Sequence, residues 1–361
     1  MKILVVKLSD MGDVLTVTPA LRALRESFDD AHITILVPPT SAAVIRGSPL
    51  VDDVLVFDKF PFDAPRDALR LRSLGSGIDL FRRLWREKFD VVLLMHHLTT
   101  RWGAVKHALL TLATGARQRV GLDNGRGWFL TQRAKDHGFG HVHEVEYWLE
   151  VAKLLGANTE EAHLEVALSP EDEHFAIHHL PSAEGRPLVA IHPGSGGYSR
   201  ARRWSSAGFA RVAKELVRLY DATIVLVGGG EERELVQQIA RDLDPQPINL
   251  VGLTTVKQLA AVLHRCQLFI GNDSGVMHLA TAVGTPVVAI FGPSNPKAWG
   301  PWPGPKGKAR VVRLDLPCSP CLYVDGRVGN RKGCEAMTCL EDIKPEMVLK
   351  AALPILSSYE R

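Results

Sequence analysis

The sequence predicts an α/β protein built from two doubly wound, Rossmann-like units, and three observations carry that reading. Its apolar runs are short and continuous rather than alternating, which marks strands buried on both faces, as in a parallel sheet covered by helices. The segments between them are long enough for helices and carry apolar residues at helical spacing. After a polar, His-rich and Pro-bearing passage from about 157 to 187, the whole pattern restarts. A chain of 361 residues is also too long for one ordinary core and comfortable for two.

In chain order, "KILVVKL" (2–8) is a strand, "SDMGD" a tight loop and "VLTVTPALRALRESF" a helix. "HITILVP", "VDDVLVFD", "DVVLLMH" and "QRVGL" continue as strands, with helices expected within 66–88 and 101–114 and over "HEVEYWLEVAKLLG". "PLVAIHPG" then opens the second set, followed by "ATIVLVGG", "INLVG", "CQLFIGN", "TPVVAIFG" and "ARVVRLDL". Between them, "SSAGFARVAKELVRLY" is a helix capped by Ser205 or Ser206, and "TTVKQLAAVLHRC" one that begins at Thr254 or Thr255. The C-terminal "IKPEMVLKAALPILSSY" is an amphipathic helix. The expected division is 1–170, 171–345 and a terminal helix within 346–361.

Composition excludes several classes. Hydrophobic residues make up 46% and charged residues 23%, the values of an ordinary soluble globular chain. A net charge of +3 argues neither for a nucleic-acid binder nor for an acidic tail, and no nucleic-acid partner is expected. No export signal is visible in "MKILVVKL", and five cysteines then point to a reducing cytoplasm without disulfides. No apolar run reaches the roughly 18 residues of a membrane span. Local charge is less balanced: Lys59, Arg66, Arg70, Arg72, Arg82, Arg83, Arg86 and Lys88 face only Asp63, Asp67, Asp79 and Glu87 between residues 59 and 88.

Ligands of such sheets bind beyond the carboxyl ends of the strands, and four loops there carry chemistry. In "GNDSGVMHLATAVGTP" (271–286) a strand gives way to a helix near Ser274 or Gly275. The free amides and positive dipole end of that helix suit a phosphate, Gly275 permits close approach, and Asp273 can accept from sugar hydroxyls. Helix capping is the simpler reading of Asp273 and Ser274 alone, as a core histidine is for His278. "IHPGSGGYSRARRW" joins a Gly-rich loop to Arg200, Arg202 and Arg203, guanidinium groups that fit phosphate oxygens. "VLVGGGEERELV" sets Glu231 and Glu232 at a strand end, where an acid complements a helix dipole or binds ribose. "KLSDMGDVL" sets Asp10 and Asp13 around Gly12, with Asp13 an N-cap or a general base. The G-x-G-x-x-G fingerprint of dinucleotide oxidoreductases is missing.

Together, "KLSDMGDVLTVTPALRAL", "HPGSGGYSRARRW", "GGGEERE" and "GNDSGVMHLATAVGTPVVAIFGPSNPKAWGP" resemble the bacterial lipopolysaccharide heptosyltransferases, glycosyltransferase family 9, over nearly the whole chain. The resemblance implies a GT-B fold, with an N-terminal acceptor domain and a C-terminal nucleotide-sugar domain facing a central cleft and the last helix packing back on the first domain. It implies inverting transfer from ADP-heptose with no cofactor required. Asp13 matches the family's catalytic base. Gly194, Ser195 and Arg202 fall where the family contacts phosphate, Glu232 where it contacts ribose, and Asp273, Ser274, Gly275 and His278 where it holds sugar and diphosphate. Arg202 replaces the lysine common in the family, and "MHHLTTRWG" (95–103) departs from the family's small polar residues. Arg66, Arg70 and Arg72 are the first candidates for binding an anionic lipopolysaccharide core, with peripheral contact at the inner membrane. Other nucleotide sugars, or a non-catalytic nucleotide-sugar binder, are the alternatives. Cys318, Cys321, Cys334 and Cys339 have a C-x₂-C, C-x₄-C spacing compatible with a structural zinc site, with free thiols the simpler reading.

Overall fold

The computed structural model describes residues 1–63, 66, 71–181, 185–241, 243–302, 309–324 and 326–357, with side chains from 75 onward in the helix Leu71–Glu87. The chain divides into two compact units, Met1–Ala162 and His163–Arg361.

The first unit holds β1 (Lys2–Val6), β2 (His32–Val37), β3 (Asp53–Val56), β4 (Val91–Leu94), β5 (Gln118–Asp123) and β6 (Gln132–Lys135) in one parallel sheet of order β3-β2-β1-β4-β5-β6. The second holds β7 (Leu188–His192), β8 (Thr223–Leu226), β9 (Ile248–Asn249), β10 (Leu268–Asn272), β11 (Val287–Ile290) and β12 (Ala309–Val312), ordered β12-β11-β10-β7-β8-β9. Both follow the Rossmann order, and each reverses direction between its first and fourth strands, β1 with β4 and β7 with β10. Ligands of such sheets bind in the crevice at that reversal; the loops after β1, β7 and β10 carry Asp13, the Gly194–Arg202 stretch and the Asp273–His278 stretch, while Glu232 follows β8.

Burial explains the strands. Val91–Leu94 and Leu188–His192 are buried at every position, as two-sided cover requires. β6 escapes the sequence reading because "QRAK" is an edge strand with only Ala134 buried. The helix Pro170–His179, inside the passage read as a linker, also escapes it, since Ala176 is its one buried residue. Ser169 starts that helix through a capping box with Asp172.

The first unit ends at Ala162, short of residue 170, and the helix Pro170–His179 packs on the second unit's helix Val256–His264. The terminal helix Pro345–Ser357 is grouped with the second unit as well. Its Val348, Ala352, Ile355 and Leu356 share one core with Val189, Ile191, Phe209, Val212 and Leu216, and it packs on β10, β11, β12 and the helix Ser206–Tyr220. Among the described residues no helix is long and apolar enough to cross a membrane.

Candidate functional site

In the second unit the loops after β7, β8 and β10 converge on a set of buried polar groups. Ser274 caps the helix Gly275–Ala282 by accepting from the Met277 amide at 3.4 Å. Gly275 and Val276, both half-buried, open the first turn, where amides lack intrahelical acceptors. The Arg202 guanidinium forks, one nitrogen donating to the Ser195 carbonyl at 2.8 Å and another to Asp273 Oδ2 at 3.2 Å. Arg203 donates from Nε to Ser195 Oγ at 3.3 Å and approaches Glu232 at 3.7 Å. Asn272 ties the loops together, donating to the Pro193 and Gly194 carbonyls and accepting from the Trp204 amide.

Behind these groups runs a buried relay. Glu232 Oε2 lies 3.1 Å from His192 Nε2 and accepts from the Gly229 amide at 2.9 Å. His192 Nδ1 lies 3.2 Å from Ser274 Oγ. With Nε2 turned to Glu232, Nδ1 faces the Ser274 hydroxyl. Burial works to raise the Glu232 carboxyl pKa, but His192, the Gly229 amide and the Arg203 charge outweigh it and hold the group below its ordinary range. Gly194 is a glycine for the same reason, since a Cβ there would overlap the Glu232 carboxylate.

The structure thus brings Gly194, Ser195, Arg202, Glu232, Asp273, Ser274, Gly275 and His278 into one region, with some roles redistributed. Ser195 is buried and its hydroxyl is committed to the Ser199 carbonyl at 2.8 Å. Glu232 is buried in the relay, whereas Glu231 is exposed. His278 is buried, with Nδ1 lacking a hydrogen-bond partner among the described residues, and burial drives its pKa down to about 4 against a smaller opposing influence of Asp273. A neutral imidazole donates or accepts a hydrogen bond but adds no charge. His192 and Asn272 were given no role by sequence reasoning; the signal was a polar residue closing each of two fully buried strands, β7 and β10.

In the first unit, β1 leads through Lys7 and Leu8 to the short helix Met11–Leu15. Asp10, not Asp13, takes the N-cap position. Asp13 stands in the first turn, half-buried; its carbonyl accepts from Thr16 Oγ1 at 2.7 Å, and its carboxylate has no hydrogen bond or ion pair among the described residues. Lys7 is buried, its ammonium 4.0 Å from the centre of the Trp148 ring. Desolvation lowers its pKa, opposed by the charges of Asp13 and Glu144.

The two histidines after β4 have opposite characters. His96 accepts from the Leu8 amide at 2.6 Å, and burial with the nearby His107 and Lys7 charges pushes its pKa far down. His97 is clamped between Asp136 (3.0 Å) and Glu144 (3.1 Å), with all three side chains buried. Desolvation opposes its charge, yet the two carboxylates raise its pKa to about 9. Sequence separation hid this triad.

Arg66 is exposed. Arg70 and the side chain of Arg72 lie outside the described residues. Cys318, Cys321 and Cys334 are exposed free thiols and Cys339 a buried one. Burial raises the Cys321 and Cys339 pKa values, Cys318 and Cys334 raise both further, and Cys321 adds to the rise at Cys339. Among the described residues no group of three or more His, Cys, Asp or Glu has metal-holding geometry.

The family model described as glycosyltransferase family 9 (heptosyltransferase) matches residues 78–330. The chain is 28% identical over 352 residues to lipooligosaccharide heptosyltransferase 2 of Campylobacter jejuni, covering 96% of each chain. Among solved structures, a glycosyl transferase family 9 protein from Veillonella parvula superposes with a TM-score of 0.78 at 25% identity, covering 99% of this chain and 97% of the other. E. coli ADP-heptose LPS heptosyltransferase II superposes with a TM-score of 0.75 at 23% identity over the whole of both chains, a likeness of fold.

Proposed function

The chain belongs to glycosyltransferase family 9, a GT-B heptosyltransferase family, and we propose that it transfers a heptose from ADP-heptose to a hydroxyl of the lipopolysaccharide inner core, inverting the anomeric carbon. The observation that carries the reading is the Arg202 fork between Ser195 and Asp273, set beside the half-buried first-turn amides of Gly275 and Val276. Amides and a guanidinium in such an arrangement hold a diphosphate. The heptosyltransferase relative and the resemblance of the four loops support heptose and ADP as the donor's parts.

In this reading Asp13 removes the proton of the acceptor hydroxyl. The hydroxyl oxygen attacks the anomeric carbon as the bond to the diphosphate oxygen breaks, and ADP leaves with the electron pair. Arg202 and the Gly275 and Val276 amides offset the charge gathering on the leaving oxygen, each donor contributing on the order of 3 kcal/mol. A carboxylate without a committed partner, on a helix turn at a strand's carboxyl end, fits a base. The basic stretch with Arg66, Arg70 and Arg72 suits the anionic acceptor, which would place the protein in the cytoplasm at the inner leaflet. Transfer itself calls on no cofactor. The four cysteines remain a candidate structural zinc set, supported by their spacing; zinc content of protein purified without added metal checks it.

The test is transfer from ADP-heptose to a delipidated core acceptor, with the product's anomeric configuration read by NMR. Asp13→Asn is expected to lower turnover by roughly 10² to 10⁴ with ADP affinity unchanged. Undiminished turnover in that variant, or retained anomeric configuration in the parent's product, overturns the mechanism.

A further inference from the structure

Two helices of the first unit leave an apolar face uncovered. On Leu71–Glu87, Ile78, Phe81 and Trp85 recur at i, i+3 and i+7 and are 49%, 50% and 59% exposed. On Arg101–Ala113, Val105, Leu109 and Leu112 recur at i, i+4 and i+7, with Leu109 64% exposed. These spacings each define one stripe. Neither stripe is the core face, which is Leu84 on the first helix and Ala104, Ala108 and Thr111 on the second.

The stripes are neighbours. The helices pack on each other, and Trp85 reaches Gly115, just past the second helix, so closely that a Cβ there would touch its ring at 3.7 Å. Phe81 and Trp85 stack in parallel, 6.2 Å between centres. Leu219 and Leu253 of the second unit are exposed as well, and scattered exposed apolar side chains are ordinary for a surface.

Charge says what covers this face. At 100° per residue, Arg82 and Arg86 flank Phe81 and Trp85 on the solvent side, and Arg101 continues the second stripe. Asp79 is drawn to Arg82 at 3.7 Å and Glu87 to Lys2 at 3.5 Å. Arg83 and Arg86 have no carboxylate partner among the described residues. Aromatic and aliphatic side chains bordered by Arg86, which has no carboxylate partner among the described residues, and by Arg82, held only in an exposed pair with Asp79, match the interface of an anionic bilayer, where rings enter the headgroup boundary and guanidinium groups meet phosphates. A protein partner of ordinary composition would instead favour an apolar centre depleted in charge.

We propose that the helix pair Leu71–Glu87 and Arg101–Ala113 is an in-plane docking surface for an anionic membrane, with Phe81, Trp85, Leu109 and Leu112 inserting and Arg82 and Arg86 reading lipid phosphates. Its purpose rests on the lipid-borne acceptor proposed above, but the binding itself does not.

The test is co-sedimentation of the full chain with phosphatidylglycerol-containing vesicles and with pure phosphatidylcholine vesicles. The parent is expected to bind the anionic vesicles and to release them as salt rises. Phe81→Ser with Trp85→Ser, and separately Arg82→Gln with Arg86→Gln, should each weaken that binding about tenfold or more. Leu109→Gln, on the other helix, should weaken it too and serves if the double apolar variant fails to fold. Transfer to a delipidated acceptor should be unaffected, so its loss in the parent would count against the proposed activity and not against docking. Parent-like vesicle binding by the folded apolar variants overturns the proposal. So does a parent that ignores anionic vesicles, or one whose face instead holds a dimer that these substitutions split.

Discussion

At His97, burial and charge pull in opposite directions, and the geometry decides between them. Carboxylates at 3.0 and 3.1 Å raise its pKa to about 9 despite desolvation. Because the imidazolium is favoured in the folded state, its contribution is fully present below the ordinary value of 6.5 and is lost as pH rises through about 9. A shift of that size corresponds to on the order of 3 kcal/mol. The melting temperature of the parent should therefore fall between pH 7 and pH 10 by more than that of His97→Gln, and parallel pH profiles would show that the ring is not charged in the fold. Such a triad is illegible in sequence: His97, Asp136 and Glu144 belong to three different elements, and nothing local to any of them signals the others. Arg202 and Asp273 could be singled out because each stands in a strand-end loop rich in glycine and charge, and the structure pairs them at 3.2 Å. Glu232 was legible as a position but not as a contact, since the sequence does not show that His192 and the Gly229 amide already hold it.

At the scale of elements, helix starts were read from cap chemistry, and the second unit offers a matched pair for testing it. Thr255 caps Val256–His264 in a reciprocal box with Gln258. Ser274 caps Gly275–Ala282 and also meets His192. Thr255→Ala and Ser274→Ala should each cost about 1 kcal/mol, a drop of roughly 2–4 °C in melting temperature for a unit of this size. Only Ser274→Ala should weaken ADP binding as well, because it alone frees His192 Nδ1 beside the amides proposed to hold the diphosphate. Calorimetric titration with ADP separates the two; equal affinities would make the Ser274 end an ordinary cap. Elements were missed where burial is thin. β6 is an edge strand resting on Ala134, and Pro170–His179 covers its neighbour through little more than Ala176, so neither shows a hydrophobic period. Where every position is buried, as in Val287–Ile290, the strand was plain.

At the scale of the whole molecule, two units share one strand order, and each has its own reversal point and its own polar set. This duplication predicts a division of labour that one ligand can expose. The groups that fit a diphosphate, Arg202 and the first-turn amides of Gly275 and Val276, all belong to the unit His163–Arg361. The unpartnered carboxylate of Asp13 and the charged His97 belong to Met1–Ala162. A nucleotide that binds only the folded second unit stabilises it by mass action, by about 2.7 kcal/mol at a hundredfold excess over Kd. Hydrogen exchange of the full chain with and without ADP should then show slower exchange across 193–203 and 273–277. Exchange across 8–13 and 95–98 should stay unchanged until a sugar or acceptor is supplied. Both sets of amides can be followed in one experiment, so the failure is as readable as the success. If ADP protected the loop that carries Asp13 while leaving the Gly275 end of its helix untouched, the nucleotide would have been assigned to the wrong unit, and with it the direction in which the leaving group departs.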